Sequence, residues 1–352
     1  MSRRLLLVAF VAAVLLVTLC PVGGAMPSPS ASPRSATPDV SDAAPGVSGA
    51  ASGVSGVAAV DVAEAGATAG EGDLSLSDGV ILGVVEGVTE YLPVSSTGHL
   101  LLTTHALGLT DTGVGKEAAD AYVIVIQFGA ILAVVVLYAP RLWSIVRGIA
   151  GRDPSGRRLA FALVASVVPA VIIGVLGEQL LKRYLFGLWP IAVAWLVGGA
   201  VILAVAWGDA RRGRGSQDGA ALEALTVRGA ILVGLLQCVA MWPGISRSLA
   251  TILGGRLAGL STQAAVEYSF LLGFVTLTGA SLFETAKQGG AIVATLGIVA
   301  PVAGVVVAFV AAALSIKWMV AYLNRHSLAV FGYYRIALAA VTATLLVGGV
   351  LH

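Results

Sequence analysis

Two carboxylates lie one helical turn apart inside an apolar stretch of the sequence. Glu86 and Glu90 are spaced so that a helix places them on one face. Acidic side chains in an apolar membrane segment are costly and usually mark a functional site. Because two bare carboxylates repel each other, the pair predicts a site for Mg²⁺ or Ca²⁺, which prefer oxygen ligands. Protonated or helix-capping acids, and ion or proton coupling in a transporter, are the alternatives.

A cluster of hydroxyl residues follows directly after Pro93. Ser95, Ser96 and Thr97 stand where a second half-helix should begin, so capping of its N-terminus is the plainer explanation. His99 comes three residues after Ser96, and we therefore expect it to reach the same cavity. A serine beside a histidine can act as a nucleophile with its base.

A third polar group interrupts a later apolar stretch. In Pro243-Gly-Ile-Ser-Arg-Ser248, the proline and glycine indicate a turn, and Ser246 would begin a half-helix. Backbone N–H groups at a helix N-terminus attract phosphate. Arg247 adds a rigid fork of donors suited to phosphate oxygens, unless it extends to the membrane surface. Taken with the carboxylates and the Ser–His pair, this group favours phosphoryl chemistry on a substrate whose tail lies in lipid.

The composition indicates a membrane protein. Of the 352 residues, 57% are hydrophobic and 11% are charged, whereas soluble domains carry about 25% charged residues. The mean hydropathy is +0.93. The net charge of +2 argues against nucleic-acid binding, and two cysteines cannot build a disulfide framework. Apolar runs long enough to span a bilayer lie near 121–139, 158–177, 188–207, 266–284, 292–314 and 330–350.

Two further apolar segments are broken in the middle. Residues 79–108 and 229–259 contain the two polar groups around Ser96 and Arg247, and each half is too short to span a bilayer. Non-helical backbone is tolerated at that depth only where it lines a cavity. The sequence therefore predicts an all-α polytopic membrane protein with six transmembrane helices and two re-entrant helical hairpins.

The two halves of this region resemble each other. ILGVVEGVTEYLPVSST is similar to ILVGLLQCVAMWPGISRS, and similar pairs follow in the same order. Each half holds one hairpin and three spans, so the second half must be inverted, with the site near the midplane. Gln237 and Met241 stand where the first half has Glu86 and Glu90, so we expect a single metal centre.

The termini and loops suggest an orientation. Residues 1–26 have the pattern of an export signal, with an uncleaved anchor helix as the alternative. Residues 27–75 are predicted to be a disordered linker rich in Ala, Ser, Pro and Gly. Residues 76–352 form the membrane domain, with repeats at about 76–207 and 228–352. The arginine-rich loops 140–158 and 208–228 are predicted to be cytoplasmic, which places residue 76 and the C-terminus outside.

The motifs resemble those of a known family. Glu86-Gly-Val-Thr-Glu90 with Leu92-Pro-Val-Ser-Ser-Thr-Gly-His99 is similar to the first signature of the bacterial undecaprenyl-diphosphatases, or bacitracin-resistance proteins. Pro243 to Ser248 with Thr251 is similar to the second signature. The likeness covers roughly residues 76 to 350, and residues 1 to about 75 depart from the family pattern.

The resemblance implies an activity and roles for the matched residues. The reaction would convert undecaprenyl diphosphate and water into undecaprenyl phosphate and phosphate at the outer face of the bacterial plasma membrane, with a divalent metal. It would recycle the lipid carrier for cell-wall synthesis and raise tolerance of bacitracin. Glu90, Ser96, His99 and Arg247 would be catalytic, and Glu86 and Glu90 would serve the metal. The diphosphate would be held by Ser95, Thr97, Gly244, Ser246, Arg247, Ser248 and Thr251.

Other functions remain open on the sequence alone. Inverted repeats with broken helices are also typical of transporters, so a lipid flippase is the main alternative. A purely structural scaffold leaves the charges of Glu86, Glu90 and Arg247 unexplained. Membrane lipids are the expected surroundings, a homodimer is a further possibility, and the identity of the attacking group, whether Ser96, His99 or a metal-bound water, stays undecided.

Overall fold

The computed structural model describes residues 75–109, 113–296 and 299–351, apart from the side chains of 113–118, 178–182 and 287–296. The predicted export signal, and all but the last residue of the predicted linker 27–75, lie outside these ranges.

The described chain consists of helices joined by short connections. The sequence order of the α-helices is α1 (Leu76–Thr89), α2 (Ser96–Leu107), α3 (Gly113–Leu137), α4 (Ala139–Ile149), α5 (Pro154–Leu185), α6 (Leu188–Arg211), α7 (Val227–Val239), α8 (Arg247–Leu257), α9 (Thr262–Leu296), α10 (Val299–Leu323) and α11 (Ala329–Val347). One 3-10 turn, Leu222–Ala224, precedes α7. The described ranges contain no β-strand.

Six of the described helices are long and apolar enough to cross a membrane, namely α3, α5, α6, α9, α10 and α11. Their outward faces carry large apolar side chains. On α5, for example, Phe161, Val164, Val171, Val175 and Leu176 are all more than half exposed. A water-soluble fold would not expose such a continuous apolar surface, whereas lipid accommodates it. The chain is therefore an all-α, multi-pass membrane protein, as the sequence predicts.

The two broken segments are each folded as a pair of short helices. α1 and α2 are joined by residues 90–95, and α7 and α8 by residues 240–246. Ser95 and Ser246 end these two breaks, and both have positive φ, of 72° and 79°. They are the only residues other than glycine with positive φ in the described ranges. The re-entrant course of the two helix pairs, the repeat and the domain boundaries stay predictions.

Small residues allow the first broken segment to pack deep among the long helices. α1 lies against α10, where a Cβ on Gly83 would meet the carbonyl oxygen of Gly304 at 2.8 Å. One turn later, a Cβ on Gly87 would meet the carbonyl oxygen of Ala308 at 2.4 Å. Close backbone approach through small residues is how membrane helices gain packing energy. This contact fixes the helix that carries Glu86 and ends directly before Glu90.

The structure differs from the expected pattern in the loop at 140–158. Much of that loop is a short helix, α4, with Pro140 in its first turn. Arg141 and Arg147 alternate along it with exposed apolar residues, among them Trp143, Val146 and Ile149. This amphipathic pattern suits a helix lying at a membrane interface. Several of the long helices are also longer than the predicted apolar runs, because polar residues at their ends continue the helix beyond the apolar segment.

Candidate active site

A cavity of about 960 Å³ lies between the two broken helix pairs. Its wall also includes parts of α3, α6, α9 and α11. Most of the predicted site residues line it: Glu86, Glu90, Ser95, Ser96 and Thr97 from the first break, and Gly244, Ser246 and Arg247 from the second. The structure therefore brings together polar groups that are about 150 residues apart in the sequence.

Glu90 is at the centre of the polar contacts. Arg247 donates from Nη2 to Glu90 Oε1 at 2.6 Å, and the Ser96 hydroxyl donates to Oε2 of the same carboxylate. The side chain of Glu90 is 6% exposed and that of Arg247 is 15% exposed. An ion pair so far removed from water has little screening, and removal of one partner leaves a buried charge. The carboxylate therefore links a nucleophile candidate from one half to a cation from the other.

Glu86 lies one helical turn before Glu90 and has a different environment. Both of its carboxylate oxygens are buried and find no hydrogen-bond donor in the described part of the chain. A carboxylate in that state is suited to a hard cation. The described residues contain no group of three or more His, Cys, Asp or Glu side chains arranged for a metal ion. A cation here would thus have to combine Glu86 with hydroxyl, phosphate or water oxygens, which is how Mg²⁺ is commonly held.

The N-termini of α2 and α8 both face the cavity. α2 starts at Ser96 and α8 at Arg247, each directly after a serine with positive φ. The Ser246 hydroxyl accepts from the backbone N–H of Leu249 and caps α8, whereas Ser95 makes no side-chain cap. Unpaired N–H groups at two helix starts give one cavity two positive ends. Such a cavity favours an anion with several oxygens.

The guanidinium of Arg247 lies tightly against α9. A Cβ placed on Gly273 would come within 1.7 Å of Arg247 Nη1. On another side, the Tyr91 ring lies with its centroid 5.7 Å from the guanidinium carbon. Arg247 Nε is buried and has no acceptor in the described structure. The side chain is thus held in place with donor capacity to spare.

His99, Ser248 and Thr251 do not lie on the wall of the cavity. The expectation that His99 reaches it is therefore not met. The ring is fully buried, with Nδ1 2.6 Å from the carbonyl oxygen of Ser95 and Nε2 2.7 Å from the Tyr334 hydroxyl. Because a carbonyl only accepts, Nδ1 carries a proton, and in the neutral ring Nε2 therefore accepts from the tyrosine hydroxyl.

The two hydroxyl residues that follow Arg247 are engaged in structural hydrogen bonds. Ser248 donates to the carbonyl oxygen of Leu92 at 2.8 Å and thereby joins α8 to the first break. The Thr251 hydroxyl bonds the carbonyl oxygen of Arg247 and the Ser269 hydroxyl. Their predicted roles in holding the diphosphate stay predictions.

Sequence reasoning missed three residues that fix the breaks. Arg335 and Tyr334 of α11 and Trp195 of α6 all bond the first break, directly or through His99. Arg335 was detectable in principle, since it is an isolated cation in an apolar run, and such residues usually have a function. The sequence does not distinguish Tyr334 and Trp195 as functional residues, because aromatic residues are common in membrane helices.

The fold and the cavity together define a class of protein. It is a multi-pass membrane protein with an acid–hydroxyl–arginine site enclosed between two broken helices. The model of the bacitracin resistance protein BacA family matches residues 79–341. The chain belongs to that family.

Several named relatives are similar in sequence to this chain over most of their own length. A protein of Sorangium cellulosum named undecaprenyl-diphosphatase is 48% identical over 265 residues, which are 75% of this chain and 84% of that protein. Undecaprenyl-diphosphatase 1 of Burkholderia cenocepacia is 43% identical over 73% of this chain and 91% of its own. An undecaprenyl-diphosphatase of Cereibacter sphaeroides is 42% identical over 77% of this chain and 96% of that protein.

Proposed function

We propose that this protein hydrolyses undecaprenyl diphosphate to undecaprenyl phosphate and inorganic phosphate. The family and the names of the relatives support the reaction. The observation that carries the proposal is the single carboxylate of Glu90, which bonds both the Ser96 hydroxyl and the Arg247 guanidinium inside a cavity with two helix N-termini. The reaction regenerates the lipid carrier of cell-wall synthesis, and it confers bacitracin tolerance.

Ser96 is the proposed nucleophile and Glu90 its base. The Ser96 oxygen attacks the terminal phosphorus while its proton passes to Glu90. A new Ser96 O–P bond forms, and the bond from that phosphorus to the bridging oxygen breaks. Undecaprenyl phosphate leaves with the bridging oxygen and its electron pair. Water then attacks the phosphoserine, so that a new water O–P bond forms and the Ser96 O–P bond breaks. Protonated Glu90 returns its proton to the departing Ser96 oxygen, and the attacking water's proton leaves with the released phosphate.

Binding and charge neutralisation come from the second half of the chain. Arg247, Ser246 and Gly244 line the cavity at the N-terminus of α8, where they and the N-terminal N–H groups would face the terminal phosphate. Phosphoryl transfer depends mainly on positioning and on neutralising the negative oxygens. Glu86, together with hydroxyl, phosphate or water oxygens, would hold a Mg²⁺ or Ca²⁺ ion, which would supply further neutralisation of the diphosphate. A metal contact of Glu90, whose oxygens bond Ser96 and Arg247, stays a prediction. Ser95 and Thr97 complete the wall on the side of the first half.

The substrate's prenyl chain would lie against the apolar part of the cavity. Leu100, Leu101, Ile191, Leu277 and Leu346 all line it. A chain leaving between the helices would pass directly into lipid. The arginine-rich loops 140–158 and 208–228 support a cytoplasmic position for those loops, and this in turn supports an opening of the cavity on the extracytoplasmic face of the plasma membrane. The homodimer stays a prediction.

Two variants and a matched control test the mechanism. The assay is phosphate release from undecaprenyl diphosphate by purified protein in detergent, with Mg²⁺, with Ca²⁺ and with EDTA. We expect Ser96→Ala and Glu90→Gln to lose at least about 1,000-fold in kcat, since each removes a group that takes part in bond making. Ser315→Ala is the control. It removes a buried hydroxyl that donates to the carbonyl oxygen of Val88, and Ser315 does not line the cavity.

The outcomes separate three readings. Loss in the first two variants with activity kept in the control supports Ser96 as nucleophile and Glu90 as base. Activity kept in Ser96→Ala alone assigns the attack to water activated at Glu90. No release by folded wild-type protein under any condition rejects the phosphatase.

A lipid flippase is the second candidate, and the broken helices favour it. Movement of a labelled polyprenyl diphosphate across sealed vesicles in the Ser96→Ala variant would support it, because that variant keeps the cavity and lacks the proposed nucleophile.

A further inference from the structure

Arg335 is a fully buried cation near the start of α11. Its guanidinium donates from Nη1 to the carbonyl oxygen of Pro93 at 3.2 Å. From Nη2 it donates to the carbonyl oxygens of Ala194 and Gly244, at 2.9 Å and 2.8 Å. Pro93 belongs to the first break and Gly244 to the second. One side chain therefore joins the two breaks through their backbones.

The two bonded carbonyls occupy matching places. Pro93 stands two residues before Ser95, and Gly244 stands two residues before Ser246. Ser95 and Ser246 are the positive-φ residues that precede the two half-helices. Carbonyl groups in a helix break lack the partner that a continuous helix would give them, and in a membrane they must find one inside the protein. Arg335 supplies a partner to both breaks.

Neighbouring side chains hold the rest of the first break. Trp195 Nε1 donates to the carbonyl oxygen of Val94 at 3.0 Å, and His99 donates to that of Ser95, with Tyr334 bonded to the far side of the ring. Three consecutive carbonyl oxygens before Ser96 are thus bonded by side chains of α2, α6 and α11. Arg335 also bonds the second break, through the carbonyl oxygen of Gly244.

Space for the guanidinium comes from α6. A Cβ placed on Gly198 would lie 2.2 Å from Nη2 and 2.7 Å from Cζ of Arg335. The side chain does not line the cavity. Arg335 is consequently placed to act on the backbone behind the site.

We propose that Arg335 is a positioning residue, which sets the separation of the two breaks and so aligns Ser96 and Glu90 with Arg247. This inference rests on the proposed phosphatase function. It assigns Arg335 no contact with the diphosphate. A misplacement of about 1 Å between reacting groups can lower a rate by about 100-fold, and the two breaks meet at the ion pair between Glu90 and Arg247.

The test uses three variants that disturb this bridge in different ways. Arg335→Met removes all the donors, Arg335→Lys keeps the charge on a single nitrogen, and Gly198→Ala displaces the guanidinium without changing it. Gly279→Ala is the control, because a Cβ there meets nothing within 4 Å. Three quantities are measured in detergent: kcat and KM for phosphate release, the melting temperature, and amide hydrogen exchange of substrate-free protein.

We expect kcat to fall about 100-fold in Arg335→Met and Gly198→Ala, with KM changed by less than about threefold. The kcat of Arg335→Lys should lie between the kcat of those two variants and that of the wild-type protein. Hydrogen exchange should quicken in peptides covering 92–96 and 243–247 and stay unchanged in α10. If Arg335→Met does not fold, the other two variants carry the test.

Three results overturn the inference. The first is wild-type kcat in folded Arg335→Met or Gly198→Ala. The second is a rise in KM alone, which would mean contact with the substrate. The third is faster exchange throughout the protein with a matching loss of thermal stability, which would mean a general structural role. Absence of phosphate release by wild-type protein would instead reject the phosphatase, and the exchange data would still show whether Arg335 holds the two breaks.

Discussion

Replacing Gly273 with alanine is expected to displace Arg247 without weakening the fold. The added Cβ would lie 1.7 Å from Arg247 Nη1, 2.7 Å from Cζ and 3.0 Å from Nη2. Ordinary contact begins at 3.4 Å, so the guanidinium must retreat by about 1.7 Å, the difference between the two distances. Its 2.6 Å bond to Glu90 cannot survive that movement unchanged.

The size of the effect follows from this displacement. A shift of about 1 Å in a positioned group can cost about 100-fold in rate, which corresponds to about 2.7 kcal/mol of transition-state stabilisation. We therefore expect kcat/KM to fall by at least about 100-fold. The fold should not suffer, because alanine is favoured over glycine by about 1 kcal/mol inside a helix, and the displaced atoms end a flexible side chain.

The assay is phosphate release from undecaprenyl diphosphate in detergent, together with the melting temperature. Gly279→Ala on the same helix α9 is the matched control, because it makes the same substitution where a Cβ meets no other atom within 4 Å. Activity within about threefold of wild type in folded Gly273→Ala would refute the role given to the position of Arg247.

Three more predictions follow from the structure. His99→Gln should keep far more activity than Ser96→Ala, because the ring is buried behind the cavity wall and its Nε2 accepts from Tyr334; equal losses in phosphate release would restore His99 as the base. Glu86→Gln should raise the Mg²⁺ concentration needed for half-maximal activity, and an unchanged Mg²⁺ titration would remove Glu86 from the metal site. Asp153→Asn should lower the melting temperature at pH 7, because hydrogen bonds from Ser155, Ser144 and Gly156 hold the pKa of Asp153 well below its usual range. That stabilisation is present above the unfolded pKa of about 3.9 and is lost as the pH falls below it, so the two melting temperatures should converge in acid.

The fold was largely predictable because the membrane imposes strong rules. Apolar runs of the right length became helices, since a backbone in lipid has few other ways to pair its N–H and C=O groups. The breaks near Ser96 and Arg247 were visible for the same reason, as polar residues interrupting those runs. α4 was missed because a short amphipathic helix with Pro140 and two arginines looks like a charged loop.

The candidate site was predictable in its members and less so in its geometry. Charged residues in apolar segments identified Glu86, Glu90 and Arg247. Spacing along the sequence placed His99 near Ser96, but the ring turns towards Tyr334 on a helix more than 200 residues later. Such a contact depends on how α2, α6 and α11 pack, and no local pattern encodes it. The bridging role of Arg335 depends on the same packing.

The division of the site between two breaks and a late helix has a consequence for biosynthesis. Glu90 is translated long before Arg247, so its carboxylate has no guanidinium partner while the first half is being inserted. Arg335 arrives later still, on the last described helix. The ribosome must therefore synthesise the chain beyond residue 335 before the three groups can meet. Newly made protein would stay inactive until α11 is in place, and a fragment ending before residue 329 would carry every proposed catalytic side chain yet lack the bridge between the breaks.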